Sequence, residues 1–366
     1  MTRTESFAHD ADRRLRGRAA RNPAQSAPHA VWHAFHRSTD LRRLEEAAVR
    51  LQAPVGTGRR IAVTSSRGGT GRTTLTAVLA QTLGRFRLEP IGAVDLDPGH
   101  GALRLRLGPL VDGPDAEDGG EGGEAAEREG AGPGERGAAT ADRVAQHIRD
   151  HGTGGAADFL APLEASPHRV YHTAARTTRQ VLPQDHVAGL LTGFSRFFPV
   201  TLSDCAAGHL PVETAAAVAS SHAVLHVVPA DALAVDEALH FLTATGQHTR
   251  RTPEPHVVVA VVQHRSRTNA DARDAAAALR RRGFPVHVVP FDRHLDTGVS
   301  VTPRLMLPRS RAVAAELAAD LLERATARSA QSGHTAEDEA VDAAAEAHPA
   351  GPPVRSGSTA RPRGRA

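Results

Sequence analysis

Lysine is absent from this 366-residue chain, so all 44 of its basic residues are arginine. Asparagine occurs only at 22 and 269, and isoleucine only at 61, 91 and 148, a depletion that points to a GC-rich genome. A lone Cys205 excludes an intrachain disulfide and suits a reducing compartment. No apolar run approaches the ~20 residues of a membrane helix, which argues against a spanning segment. The opening Met1–Phe7 lacks the apolar stretch of a signal peptide. The expected location is therefore cytoplasmic. Histidine is plentiful, but the pairs His33/His36 and His168/His172 have no cysteines or paired carboxylates beside them, which argues against a structural zinc.

What is present is enough apolar residue for a core, 40% of the chain, although only 3% is aromatic. Net charge is a modest +3, unevenly spread. Arginine dominates residues 1–60 and the last eighteen residues, while 112–140 holds nine acids and nine glycines with no large apolar residue. Such a stretch cannot bury enough surface to fold, so 112–140 reads as a disordered insertion. Residues 1–30 and 326–366 read as disordered tails on the same ground. Between the first tail and the main domain, Val31, Trp32, Phe35, Leu41, Leu44, Ala47 and Leu51 form an apolar stripe at helical spacing. That stripe predicts a helical extension over 31–57, one or two amphipathic helices that either pack on the domain, the favoured reading, or present a partner-binding face.

Over 58–325 short β-branched runs alternate with helical patterns. Strands are expected at 59–64, 89–95, 197–204, 223–228, 256–262 and 286–290, with a weaker one at 169–171. Helices are expected at 72–84, 141–150, 185–196, 211–220, 232–245, 269–282 and 310–325. The alternation, with strands apolar along their whole length, predicts an α/β fold with a mostly parallel sheet covered by helices on both faces.

The chain is organised around Ile61-Ala-Val-Thr-Ser-Ser-Arg-Gly-Gly-Thr-Gly-Arg-Thr-Thr74. This is strand, glycine loop, helix start. Glycines let backbone N–H groups turn inward, where they and the helix N-terminus bind anionic phosphate. The phosphate-loop pattern is G-x-x-x-x-G-K-[ST]; here Ser66 replaces its first glycine and Arg72 its lysine. Thr73 takes the place of the hydroxyl that ligates Mg²⁺. Asp204, ending the run Pro-Val-Thr-Leu-Ser, is placed to support that metal through water. Asp95 and Asp97 end a neighbouring strand, where a carboxylate could orient an attacking water.

Three segments together carry a family resemblance. Arg67-Gly-Gly-Thr-Gly-Arg-Thr-Thr74, Asp95-Leu-Asp-Pro-Gly99 and Asp204-Cys-Ala-Ala-Gly208 resemble the deviant Walker A, switch I and switch II elements of MinD/ParA-type P-loop ATPases. The likeness runs over roughly 58–325 and is similar to actinobacterial MinD-like proteins, some associated with type VII secretion. It implies ATP and Mg²⁺ as cofactors, with Gly68, Gly69, Thr70, Gly71, Thr73 and Thr74 around the phosphates and Gly208 near the γ-phosphate. It implies a nucleotide-dependent homodimer in which Arg67, matching the family's signature lysine, reaches the partner's phosphates. Asp97 matches the residue acting on the attacking water, with Asp95 beside it, and Gln263 matches an asparagine that reads adenine.

Arginine for lysine is not a conservative exchange, because guanidinium is planar, bulkier and forked. Backbone amides carry much of the phosphate binding, so nucleotide binding is expected to survive. Hydrolysis is left open. The readings are a slow ATP-dependent dimerising switch for a chromosome, division or secretion cargo, a hydrolysis-deficient nucleotide-binding scaffold, and, ranking last, a metabolic enzyme on the same fold. The basic ends leave weak, salt-sensitive DNA contact open, whereas no apolar stripe in the tail supports membrane anchoring by an amphipathic helix.

Overall fold

The strands are β1 (Arg59–Thr64), β2 (Ile91–Asp95), β3 (Glu164–Ser166), β4 (Val170–His172), β5 (Val200–Asp204), β6 (Ala223–Pro229), β7 (Val257–Val262) and β8 (Val286–Val289), the central ones built on runs of valine, alanine, leucine and isoleucine. The helices are α1 (Ser26–Leu51), α2 (Arg72–Phe86), α3 (Leu103–Leu107), α4 (Ala141–His151), α5 (Ala156–Leu160), α6 (Gln184–Phe197), α7 (Val212–Ala219), α8 (Ala234–Ala244), α9 (Asn269–Arg281), α10 (Arg293–Asp296) and α11 (Pro308–Glu346). This computed structural model describes residues 26–98, 101–109, 139–174, 181–208, 211–231, 233–244, 256–264 and 269–346, without the side chains of 26–38, 269–270 and 328–346. The chain divides into two units, 1–328 and 329–366, and of the second, 329–346 is helical.

The eight strands form one sheet in the order β3-β4-β2-β5-β1-β6-β7-β8. Every pairing is parallel except that of β3 with β4. Parallel strands must be covered on both faces, and every residue of β2, β5 and β6 is buried. One face packs on α1, α2 and α11 through Leu51, Leu79, Leu83, Leu317 and Leu321. The other packs on α4, α6, α8 and α9 through Val144, Phe194, Phe241 and Leu279. From β1 the chain moves outward past β5 to β2, and from β5 it returns past β1 to β6. That reversal makes a crevice at the carboxyl ends of the central strands, where open α/β sheets place ligands.

Among the described residues the sequence-derived strands and helices form, and one further strand and three further α-helices appear. β3, α3, α5 and α10 are three to five residues long, too short for a periodic pattern to show. The first helix begins at Ser26 rather than Val31. In it Leu44, Ala47 and Leu51 face the core, but Leu41 is 56% exposed. Three-residue steps fall about 60° short of a turn, which carries Leu41 off the buried face. The side chains of Val31, Trp32 and Phe35 lie outside the described residues. The last helix runs to Glu346, well past 326, because its alanine-rich continuation favours helix without needing an aliphatic stripe. The acidic segment 112–140 lies outside the described residues except at its end. There the Ala139 N–H donates to the Pro162 carbonyl at 2.8 Å and Thr140 bridges Ala174. Residues 1–25 and 347–366 also lie outside them.

Candidate functional site

The site is assembled by register. Val63 of β1 and Asp95 of β2 both pair with Asp204 of β5, so the two acids end adjacent strands beside the loop that leaves β1. That loop, 65–71, turns through Gly69 (φ 74°) and Gly71 (φ 86°), left-handed conformations that glycine adopts without steric penalty. Gly71 starts α2, and its carbonyl accepts the Leu75 N–H at 2.8 Å. Gly208 (φ 84°) donates its N–H to the Ser65 carbonyl at 2.9 Å, tying the segment after β5 to the base of the loop.

Arg72 lies at the centre, 7% exposed. Its Nε donates to Asp204 Oδ1 at 3.0 Å, its Nη2 to Asp97 Oδ2 at 2.8 Å and its Nη1 to Ser65 Oγ at 3.1 Å. Burial works against the guanidinium's charge, but Asp204 and Asp97 outweigh it and raise its pKa. Burial raises the pKa of the Asp204 carboxyl, and Arg72 and the Thr73 hydroxyl offset that rise only in part. A guanidinium keeps its proton throughout the accessible pH range, so the pairing favours the ionised carboxylate.

Asp95 has a different place from Asp97. It is fully buried, and its oxygens accept the backbone N–H groups of Asp97 (3.1 Å) and Leu103 (3.4 Å). A side chain on Gly101 would come within 2.4 Å of Asp95 Oδ2, so the segment closes tightly over it. Burial, reinforced by the charge of Asp204, pushes Asp95 up to about 8. Its position is that of a pin for the segment after β2 rather than of a group facing a ligand.

A cavity of about 310 Å³ opens over the loop, at the low end of the range of small-molecule sites. On one side lie Gly69, Thr70, Gly71, Arg72, Thr73 and Thr74, and on the other Gln263, Phe291 and Asp292. Gln263 Oε1 accepts the Phe291 N–H at 3.3 Å, which positions the amide at this wall. Asp292 is committed to structure, capping α10 at His294 N (3.0 Å) and holding Leu307 N (2.8 Å). Arg106 lines the same cavity and donates to the carbonyls of Leu295 and Val299, both at 3.2 Å. Burial lowers its pKa.

The fold thus gathers Arg72, Thr73, Asp97 and Asp204 and sets Gly69–Thr74 across from Gln263. Arg67 turns elsewhere, toward Asp231 and Glu237 beside the start of α8. Ser65 and Arg106 were missed in sequence. Ser65 precedes the motif, and Arg106 reaches the cavity through α3, which is too short to read. For a divalent metal the donor types fit: Asp204 Oδ2 is buried without a hydrogen-bond partner, and Thr73 lies next to it. Among the described residues no group of three or more His, Cys, Asp or Glu is placed to hold a metal. Within the same residues, no helix is long and apolar enough to cross a membrane.

No protein-family model matches the chain. It is 28% identical over 273 residues to the ESX-1 secretion-associated protein EspI of Mycobacterium tuberculosis, covering 71% of this chain and 36% of that protein. The chain therefore spans about a third of the length of the curated relative. Among solved structures it is similar to a ParA family ATPase from Chlorobium tepidum, with a TM-score of 0.50 and 15% identity over 70% of this chain and 97% of the other. The MinC:MinD cell division complex of Aquifex aeolicus overlays at a TM-score of 0.48 and 15% identity, over 73% and 95%. The resemblance carried by the three motifs holds at the level of architecture: the chain has the α/β fold of the ParA-type P-loop ATPases, with arginine where the phosphate loop has its lysine.

Proposed function

We propose that the chain is an ATP-binding switch protein of the MinD/ParA type that hydrolyses its nucleotide slowly. The observation that carries this is the Arg72 fork lining a cavity walled by the glycine loop and by Gln263. Backbone N–H groups of 69–74 and the α2 N-terminus supply phosphate contacts, and the opposite wall receives the base. Thr73 and Asp204 would hold a Mg²⁺ arriving with the nucleotide, where it would neutralise phosphate charge. Asp97 is the group positioned to orient water, yet its Oδ2 is bonded to Arg72. A carboxylate so engaged is a weaker acceptor for a water proton, which accounts for slow turnover.

The same bond favours a second reading, a nucleotide-binding scaffold that has lost hydrolysis. In either case the chain acts as a nucleotide-dependent homodimer in the cytoplasm. Similarity to a secretion-associated protein supports a secretion assembly as the cargo. The test is calorimetry, light scattering and phosphate release on the purified protein with ATP and Mg²⁺. Binding below millimolar ATP, dimerisation with ATP and slow phosphate release are expected, and Arg72→Lys should raise turnover at least about tenfold if the fork is the brake. Undetectable binding at millimolar ATP defeats the proposal; binding with turnover absent in both forms selects the scaffold.

A further inference from the structure

We infer that Arg72 serves as the site's built-in cation, so that nucleotide binds this protein without a requirement for a divalent metal. The inference rests on the nucleotide reading above and concerns how charge is balanced within that site.

A guanidinium carries five N–H donors in a fixed plane. In Arg72 three are used, one each for Asp204, Asp97 and Ser65, which leaves one hydrogen on Nη1 and one on Nη2. The residue also lines the cavity above the loop. A phosphate oxygen can therefore be met by the remaining donors while both carboxylates stay paired. A lysine ammonium has three donors in all and no planar fork, so it cannot bridge Asp204, Asp97, Ser65 and a phosphate together. With lysine, the two acids and the incoming phosphates need a further positive charge. With arginine, that charge is already part of the fold.

The same arrangement opposes a divalent ion in the nucleotide-free protein. Asp204 Oδ1 and Asp97 Oδ2 both face the guanidinium, and Asp204 Oδ2 is buried without a hydrogen-bond partner. An ion bound there sits beside a fixed like charge in a buried setting, where such repulsion is poorly screened. Because Arg72 is held by three hydrogen bonds and is almost fully buried, it cannot swing aside without leaving two acids unpaired.

The experiment is calorimetric titration of the full chain with ATP, once with EDTA and once with Mg²⁺, for the native protein and for Arg72→Lys. The native Kd should change by less than about threefold between the two conditions, and that of Arg72→Lys should weaken at least about tenfold in EDTA. A larger change in the native protein overturns the inference and leaves the nucleotide reading intact. No ATP binding in either condition defeats the nucleotide reading, and the inference with it. Should Arg72→Lys fail to fold, Mn²⁺ titrated into the nucleotide-free native protein decides. Absence of binding at submillimolar Mn²⁺ supports the inference, and saturable binding there overturns it.

Discussion

A histidine buried next to the glycine loop shows how a single residue can set acid tolerance. His226 on β6 is fully buried, its Nδ1 lies 3.1 Å from Thr64 Oγ1, and its ring stacks on Phe241 with centroids 4.5 Å apart. Burial alone pushes its pKa down to about 3. In the unfolded chain the group titrates near 6.5, so between about 6.5 and 3 the unfolded state binds a proton that the fold excludes. Stability is therefore lost as pH falls through that window, by up to about 1.4 kcal/mol per unit. His226→Leu should flatten the slope, because Thr64 keeps the Leu225 carbonyl as a partner at 3.3 Å. Urea unfolding at pH 7 and pH 4.5 checks this: relative to native, the variant should gain about 2.5 kcal/mol at the lower pH. An unchanged gap would mean that His226 does not set the acid limb.

At the scale of elements, α1 is clamped to α11 by arginine forks at a heptad spacing. Arg43 is bidentate to Glu316 and Arg50 to Glu323, with contacts of 2.6 Å, and Arg50 also meets Asp320. Both bidentate pairs advance by seven residues in the same direction, so the two helices run parallel. His287 of β8 completes the network at 2.7 Å from Asp320. These groups are part-exposed, with Arg50 at 35% and Glu323 at 50%, which limits their worth. Arg43→Ala with Arg50→Ala should cost about 1 kcal/mol in chemical denaturation, and Leu51→Ala, at 0% exposure, about 3 kcal/mol. If the double variant cost more than Leu51→Ala, the ladder rather than the core would hold α1. The apolar stripe of α1 was legible in sequence, but the ladder was not, since its partners lie 270 or more residues apart.

For the whole molecule the relevant quantity is how ligand shifts folding. A nucleotide bound only by the native state stabilises it by about 2.7 kcal/mol at a hundredfold excess over Kd. At about 2–4 °C per kcal/mol for a domain of this size, Tm should rise by several degrees. Scanning calorimetry with ATP should show that rise with EDTA as well as with Mg²⁺. A Tm unmoved at millimolar ATP would mean that the cavity between the loop and Gln263 is not a nucleotide site. Mechanically the rise follows from position, because the cavity is walled by the β1–α2 loop and by the ends of β7 and β8, and a ligand there joins distant strands.

By itself the sequence determined the α/β alternation, the burial of continuous apolar strands and the glycine loop with its two arginines. Those features are local, set by side-chain periodicity and by glycines at 69 and 71 that the turn requires. It also marked Asp95, Asp97 and Asp204 as strand-end acids. Only the tertiary structure decided their partners. Parallel register set Asp95 beside Asp204, the tight segment at Gly101 sealed Asp95 inside, and the guanidinium of Arg72 bridged Asp97 and Asp204. Arg67 went instead to Asp231 and Glu237. A charged side chain pairs with whatever the strand order brings within reach, and strand order is a property of the folded sheet rather than of any local run of residues.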